Sequence, residues 1–204
     1  MEKYNLIKES IPPSGSDSHL NEWGYDLLKE LYQLVGEAGF DNAYNVFDFA
    51  TGTGRMTALL TRLNFNVITG DLSFEQKPEA ERRITPQYLN QVKFLSLNLE
   101  SIPIQNGEIK NIVCVNTLHH LDNPVKCIEE LIRVNSPGGK FLLADFNNEG
   151  FDLMDKVHQI KYGQNHTRGN FSWDEIKEVL SSVYKSVKEV NTRLNKGFIA
   201  SNKN

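Results

Sequence analysis

The stretch Val46-Phe47-Asp48-Phe49-Ala50-Thr51-Gly52-Thr53-Gly54-Arg55 most constrains what this chain can become. A short apolar run carrying one acid enters a turn of small residues, and a helix-like pattern from Met56 to Leu63 follows at once. Strand, tight loop and helix in that order form the unit with which an open parallel sheet builds a crevice for a nucleoside-bearing ligand. Gly52 and Gly54 allow a sharp turn and a close approach to backbone, because neither carries a Cβ. An isolated small-residue loop is equally compatible with a plain strand-to-helix turn. A second apolar run, Asn66-Val67-Ile68-Thr69-Gly70, ends in Asp71. An acid at the end of a second strand, about twenty residues past the loop, is placed to accept hydrogen bonds from two ribose hydroxyls.

The rest of the chain repeats the alternation. Strands are predicted over 44–49, 66–70, 92–97, 110–116 and 139–145, with helices over 54–64 and 123–134 and a proline-interrupted helical stretch over 74–90. Such a series implies right-handed crossovers and a parallel sheet covered on both faces. The tail breaks the rule. Ser172 to Glu175 has capping-box spacing and opens a helix. Strand-like runs at 183–194 and 197–201 are joined through Asn195-Lys196-Gly197, which predicts an antiparallel hairpin at the sheet edge. The fold class is α/β, Rossmann-like and doubly wound, with seven strands.

Residues 1–18, with Pro12-Pro13-Ser14-Gly15-Ser16, read as a flexible arm. A single domain is expected over 19–204: a helical segment at 19–38, a core at 40–146, a lid-like insert at 147–170, and a closing helix and hairpin at 171–204. The first helix would be capped by Asp17 or Ser18 and run to Gly36, with Trp23 on its apolar face.

Composition narrows the classes of function. A net charge of -4 disfavours a nucleic-acid partner. No apolar run approaches bilayer-spanning length, and the first residues lack the form of a secretory signal, so no membrane partner is expected and a cytoplasmic location is the default. Cys114 and Cys127 read as buried thiols, and no close His/Cys cluster predicts a metal site. Adjacent His119 and His120 are expected to point apart, which argues against their sharing a metal. Their place past the fourth central strand makes them candidate catalytic residues, as general base or as orienting group. Asn98 is placed to bond a purine amine through its carbonyl oxygen, with Leu99 on the ring, or else to cap a turn. Pro137-Gly138-Gly139-Lys140 reads as a turn into a buried strand ending at Asp145, without a reactive group. Tyr162, His166 and Arg168 lie on the polar insert, where acceptor specificity could reside or where the chain is simply solvated.

Together these pieces resemble a class I S-adenosylmethionine-dependent methyltransferase over roughly residues 40–201. Asp48 to Gly54 is similar to the family's first motif, with Ala50 where its leading glycine usually stands. Asp71 matches the ribose-binding acid. Asn98-Leu99 before Ile102-Pro103 is similar to the adenine-side motif, with Asn98 in place of the usual acid. Asn116 to Leu121 resembles the motif after the fourth strand, and Pro137-Gly138-Gly139 the turn before the fifth. The resemblance implies S-adenosyl-L-methionine as cofactor, held by Asp48, Ala50, Thr51, Gly52, Gly54, Asp71, Leu72, Asn98, Leu99 and Asn116. It implies in-line methyl transfer to a small-molecule acceptor met by His119, His120, Tyr162, His166 and Arg168. Two alternatives stand beside it. A nicotinamide oxidoreductase would want a third glycine where Thr57 stands. A non-catalytic module would bind the cofactor or its product and act through a partner.

Overall fold

In a computed structural model describing residues 2–204, the central strands are β1 (Val46–Phe49), β2 (Val67–Asp71), β3 (Val92–Ser96), β4 (Ile109–Val115) and β5 (Asn135–Phe146). The last two are β6 (Tyr184–Asn191) and β7 (Asn195–Lys203), and the seven form one sheet in the order β3-β2-β1-β4-β5-β7-β6. β3, β2, β1, β4 and β5 run parallel to one another, whereas β7 runs antiparallel to both β5 and β6. The sequence order reverses between β1 and β4. In open sheets ligands bind beyond the carboxyl ends of the strands at that reversal.

Eight α-helices flank the sheet among the described residues: α1 (Glu2–Glu9), α2 (Gly15–Glu22), α3 (Leu27–Ala38), α4 (Arg55–Arg62), α5 (Lys77–Ile84), α6 (Pro124–Val134), α7 (Asn148–Tyr162) and α8 (Trp173–Val183). Strand side chains alternate between faces. Val46 joins Leu59, Leu60, Leu31 and Leu34 on one side, while Phe49 joins Ile128, Leu131, Ile176 and Leu180 on the other. A smaller cluster of Leu20, Leu27, Phe146, Phe151 and Leu194 seats α7 against the amino-terminal helices.

Four expectations need correction. The amino-terminal segment is a docked helix. Tyr4 and Ile7 of α1 and Ile11 just beyond it are buried, Tyr4 Oη and Lys8 Nζ each donate to Asp26 Oδ2 at 2.6 Å, and Arg62 donates to the Ser10 carbonyl at 2.9 Å. The helix expected through Gly36 is two helices. Gly24 adopts φ +79° and ends the first, Asp26 caps the second through the Lys29 N–H at 3.1 Å, and Trp23 is left largely on the surface. The cap of α2 is Ser14, whose N–H donates to Asp17 at 2.7 Å, so Asp17 sits inside the helix. Finally, Asn195-Lys196-Gly197 belongs to β7, and the chain turns at 192–194 instead. A Cβ on Gly197 would lie 2.2 Å from the Leu143 carbonyl oxygen and 2.5 Å from Ala144 Cβ, so this glycine serves a close strand approach. Among the described residues, no helix is long and apolar enough to cross a membrane.

Candidate functional site at the carboxyl ends of the strands

The loop after β1 is tied to the end of β2 by backbone and side chain together. Ala50 and Thr51 N–H both donate to the Gly70 carbonyl, at 2.9 and 3.1 Å, and the Thr51 and Thr69 hydroxyls meet at 2.7 Å. Ala50 holds φ +70°, a left-handed geometry that costs a residue with a Cβ about 1–2 kcal/mol. Gly54, at φ +75°, opens α4, and a Cβ there would sit 2.8 Å from Ala80 Cα, so α5 packs hard against the loop. Gly52, at φ +49°, has open space where a Cβ would point. The backbone there is partly exposed, with no side chain over it.

Asp71 faces that opening. Its Oδ2 accepts the Gly52 N–H at 2.9 Å and its Oδ1 accepts the Leu72 N–H at 2.8 Å. Each oxygen keeps a lone pair, and the half-buried carboxylate is oriented by backbone donors. Leu72 is 72% exposed and projects beyond the acid. Thr51, Gly52, Asp71, Phe74 and Phe94 line the same pocket. An open backbone beside an oriented carboxylate offers the polar groups that a ribose requires, in a shallow cleft enclosing about 10 Å³.

Asp48 is not at the surface of this pocket. It is 3% exposed beneath the loop, where its Oδ2 accepts the Thr57 hydroxyl at 2.6 Å. Burial pushes its carboxyl up to about 7, although the Thr57 and Thr69 hydroxyls pull the other way. Asp48 therefore braces β1 against α4 from below. Asn98 is exposed, and its Oδ1 accepts the Glu100 N–H at 2.9 Å, which is the turn-capping role. Leu99 is buried with Leu97 and Ile102 in the core. The adenine contacts expected of Asn98 Oδ1 and Leu99 would need the carbonyl's second lone pair and whatever edge Leu99 retains. Asn116, at φ +56°, ends β4, and its Oδ1 accepts from Asn195 Nδ2.

Beyond β4 lies a cluster of imidazoles. The short 3₁₀ turn Leu118–His120 brings the His119 and His120 rings to 4.0 Å, so the expectation that they point apart does not hold. Asp145, at the end of β5, is the partner that the sequence reading passed over. It accepts His119 Nδ1–H at 2.7 Å, the His119 backbone N–H at 3.1 Å and the Phe146 N–H at 2.7 Å. The available signal was an acid in an otherwise apolar run, since fully buried acids are found paired. His119 is 2% exposed, whereas His120 keeps an exposed edge. His166 reaches the cluster from the loop after α7, its ring 4.8 Å from that of His119. Burial and the neighbouring His119 hold both His120 and His166 down at about 4, so both are neutral at pH 7. Arg168 does not enter the cluster. It pairs with Asp152 and Asp155 at 2.7 and 2.5 Å on α7. Tyr162 is 59% exposed at the end of α7, beside His158.

A second feature that spacing alone did not reveal is the clamp on Asp17. Arg55 and Arg83 reach its two oxygens at 2.7 and 2.9 Å, joining α2 to α4 and α5. Burial pushes the Asp17 carboxyl up, but the two guanidiniums outweigh it and hold the group at about 2. A cavity of about 490 Å³ opens beside this clamp, under the amino-terminal helices.

Comparison with known proteins agrees with this architecture. The pattern that defines the family described as "Methyltransferase domain" matches residues 47–143. The chain is similar to a protein named ubiquinone/menaquinone biosynthesis C-methyltransferase from Pseudoalteromonas translucida, 23% identical over 150 residues, covering 67% of this chain and 60% of that one. The counterpart from Shewanella pealeana is 25% identical over 130 residues, covering 62% and 52%. The chain thus spans little more than half the length of these relatives. Among solved structures, an Aquifex aeolicus SAM-dependent methyltransferase superposes with a TM-score of 0.62 at 20% identity, covering 97% of each chain. A Methanosarcina mazei structure titled as a SAM-dependent methyltransferase gives 0.61 at 18% identity, covering 82% and 96%. The strand order, the glycine loop and the acid closing β2 are thus set in a sheet that shares the fold of solved S-adenosylmethionine-dependent methyltransferases, and residues 47–143 match the methyltransferase-domain family.

Proposed function

We propose that this protein transfers a methyl group from S-adenosylmethionine to a small-molecule acceptor bound beside the imidazoles at the end of β4. The observation that carries the reading is the Gly52–Asp71 pairing, which leaves a carboxylate aimed across bare backbone at the reversal of strand order. When bound, the cofactor supplies an electrophilic methyl on a positively charged sulfur and departs as a thioether. The chain's own residues do the holding. Asp71 would accept from two ribose hydroxyls, the 50–54 loop would follow the methionine part, and Asn98 would meet the base from the rim. Buried Asp48 keeps the loop in register with α4.

On the acceptor side, Asp145 fixes His119, and the His119 ring lies tilted against that of His120, whose exposed edge can touch an acceptor. Tyr162 and Arg168 lie further out. In such a site the rate comes mainly from alignment of the acceptor atom behind the methyl carbon and from exclusion of water. The names of the curated relatives support carbon as the receiving atom and a ring of quinone type as the acceptor. Incubation with methyl-labelled cofactor and a panel of quinols, phenols and amines tests this. One panel member should gain a single methyl group as S-adenosylhomocysteine appears in equal amount. Cofactor binding without label transfer to any small molecule, in the panel or in cell extract, would refute the transfer and leave the binding module.

A further inference from the structure

Four of the chain's five histidines gather at one place, although they lie on three separate segments. His119 and His120 come from the turn after β4, His158 from α7 and His166 from the loop that follows. One ring nitrogen from each of His119, His120 and His166 can be chosen so that all three lie within 4.8 Å of one another. The protonation pattern is set by the partners. Asp145 and the Thr167 carbonyl are acceptors, so the Nδ1 atoms of His119 and His166 carry the hydrogens they donate, each at 2.7 Å. Their Nε2 atoms are then bare lone pairs. His119 Nε2 is buried and has no hydrogen-bond partner among the described residues, on a side chain that is itself 1% exposed. An orphaned acceptor of that kind is costly to bury unless something binds it.

From these positions we infer that His119, His120 and His166 form a binding site for a divalent transition-metal ion, of the class that prefers imidazole. The Asp145–His119 pair has the form of a carboxylate that orients a metal-ligating histidine through its other nitrogen. Three nitrogen ligands favour zinc, cobalt, nickel or copper over magnesium or calcium and leave a further position open. Metal–nitrogen bonds of about 2.0–2.1 Å in tetrahedral array put the nitrogens about 3.4 Å apart, so the rings draw in by about 1 Å on loading. The loop bearing His166 is anchored for this. Asp155 accepts the His166 backbone N–H at 2.9 Å, and a Cβ on Gly169 would fall 2.5 Å from His119 Cα, so the loop lies directly on that turn.

The test uses the full chain without an added histidine tag. Metal is stripped with chelator, Zn²⁺ alone or Mg²⁺ alone is added, and metal per chain is counted by mass spectrometry after dialysis. Co²⁺ titration supplies a visible absorption spectrum that reports coordination number. One Zn²⁺ per chain is expected, with no retained Mg²⁺ and a four-coordinate cobalt spectrum. His166→Gln should weaken Zn²⁺ binding by 100-fold or more, and Asp145→Asn by about 10–100-fold. His19→Gln, outside the group of three, should change it by less than threefold. Circular dichroism confirms that each variant is folded, and His120→Gln replaces any that is not. Failure to retain zinc overturns the inference, as does retention that is unchanged in folded His166→Gln and His120→Gln. S-adenosylmethionine affinity, read on the same samples by calorimetry, tests the proposed function separately.

Discussion

Replacement of Asp71 by alanine separates cofactor binding from folding. The carboxylate accepts two backbone N–H groups at 2.9 and 2.8 Å from a half-exposed position, so water can replace those bonds when it is removed. Each such bond is worth about 1 kcal/mol net. The folding cost should therefore be about 1–2 kcal/mol, a fall in Tm of roughly 2–8 °C for a chain of this size. The binding cost is larger. Two hydroxyls donating to an oriented carboxylate contribute about 1.5–3 kcal/mol each. Loss of at least 3 kcal/mol raises Kd for S-adenosylmethionine or S-adenosylhomocysteine by 100-fold or more, at 1.4 kcal/mol per factor of ten. Calorimetric titration gives the Kd and a thermal melt gives the Tm. A folded variant whose Kd moves less than threefold would refute the assignment of Asp71 to the ribose.

Other substitutions probe the supports. Gly54→Ala adds a Cβ 2.8 Å from Ala80 Cα at φ +75°, and it should destabilise the protein by about 2–4 kcal/mol in urea melts. Ala50→Gly relieves a left-handed alanine and should leave stability unchanged or raise it by up to about 1 kcal/mol. Asp17→Asn removes the charge facing buried Arg83 and should cost about 3–5 kcal/mol. Because the Asp17 carboxyl is held at about 2, its stabilisation is present above the unfolded carboxylate range near 4 and is lost as pH falls from there through 2. Asp48 has the opposite sign. Its carboxyl is raised to about 7, so its contribution is full below pH 4 and declines as pH rises through 7, by up to about 4 kcal/mol; Asp48→Asn should flatten that slope in melts between pH 4 and 8.

Much of the sheet was legible because its signals are local. Apolar runs of strand length, punctuated by glycine and ending in Asp71, gave β1, β2 and the loop between them to within two residues. The antiparallel end was legible too, but its turn was displaced. Glycine marks both turns and close approaches, and at Gly197 only the carbonyl of Leu143 across the sheet decides which. The docked helix α1 was missed for a related reason. Prolines and small polar residues suggested an arm, while Asp26, Arg62 and Asp17, which dock it, lie far along the chain from their partners. The imidazole cluster joins residues about fifty positions apart, and no periodicity relates His119 to Asp145 or His166. Asn98 shows the converse. Its side chain was assigned two roles, and the Glu100 N–H reveals the one it performs within the chain.

The most direct test is a side-by-side calorimetric titration of the wild-type chain with S-adenosylmethionine, S-adenosylhomocysteine and NAD. Saturable one-to-one binding of the first two, with no heat from the third, is the expected result. Binding of NAD alone, or silence toward both adenosyl-sulfur compounds at millimolar concentration, would contradict it.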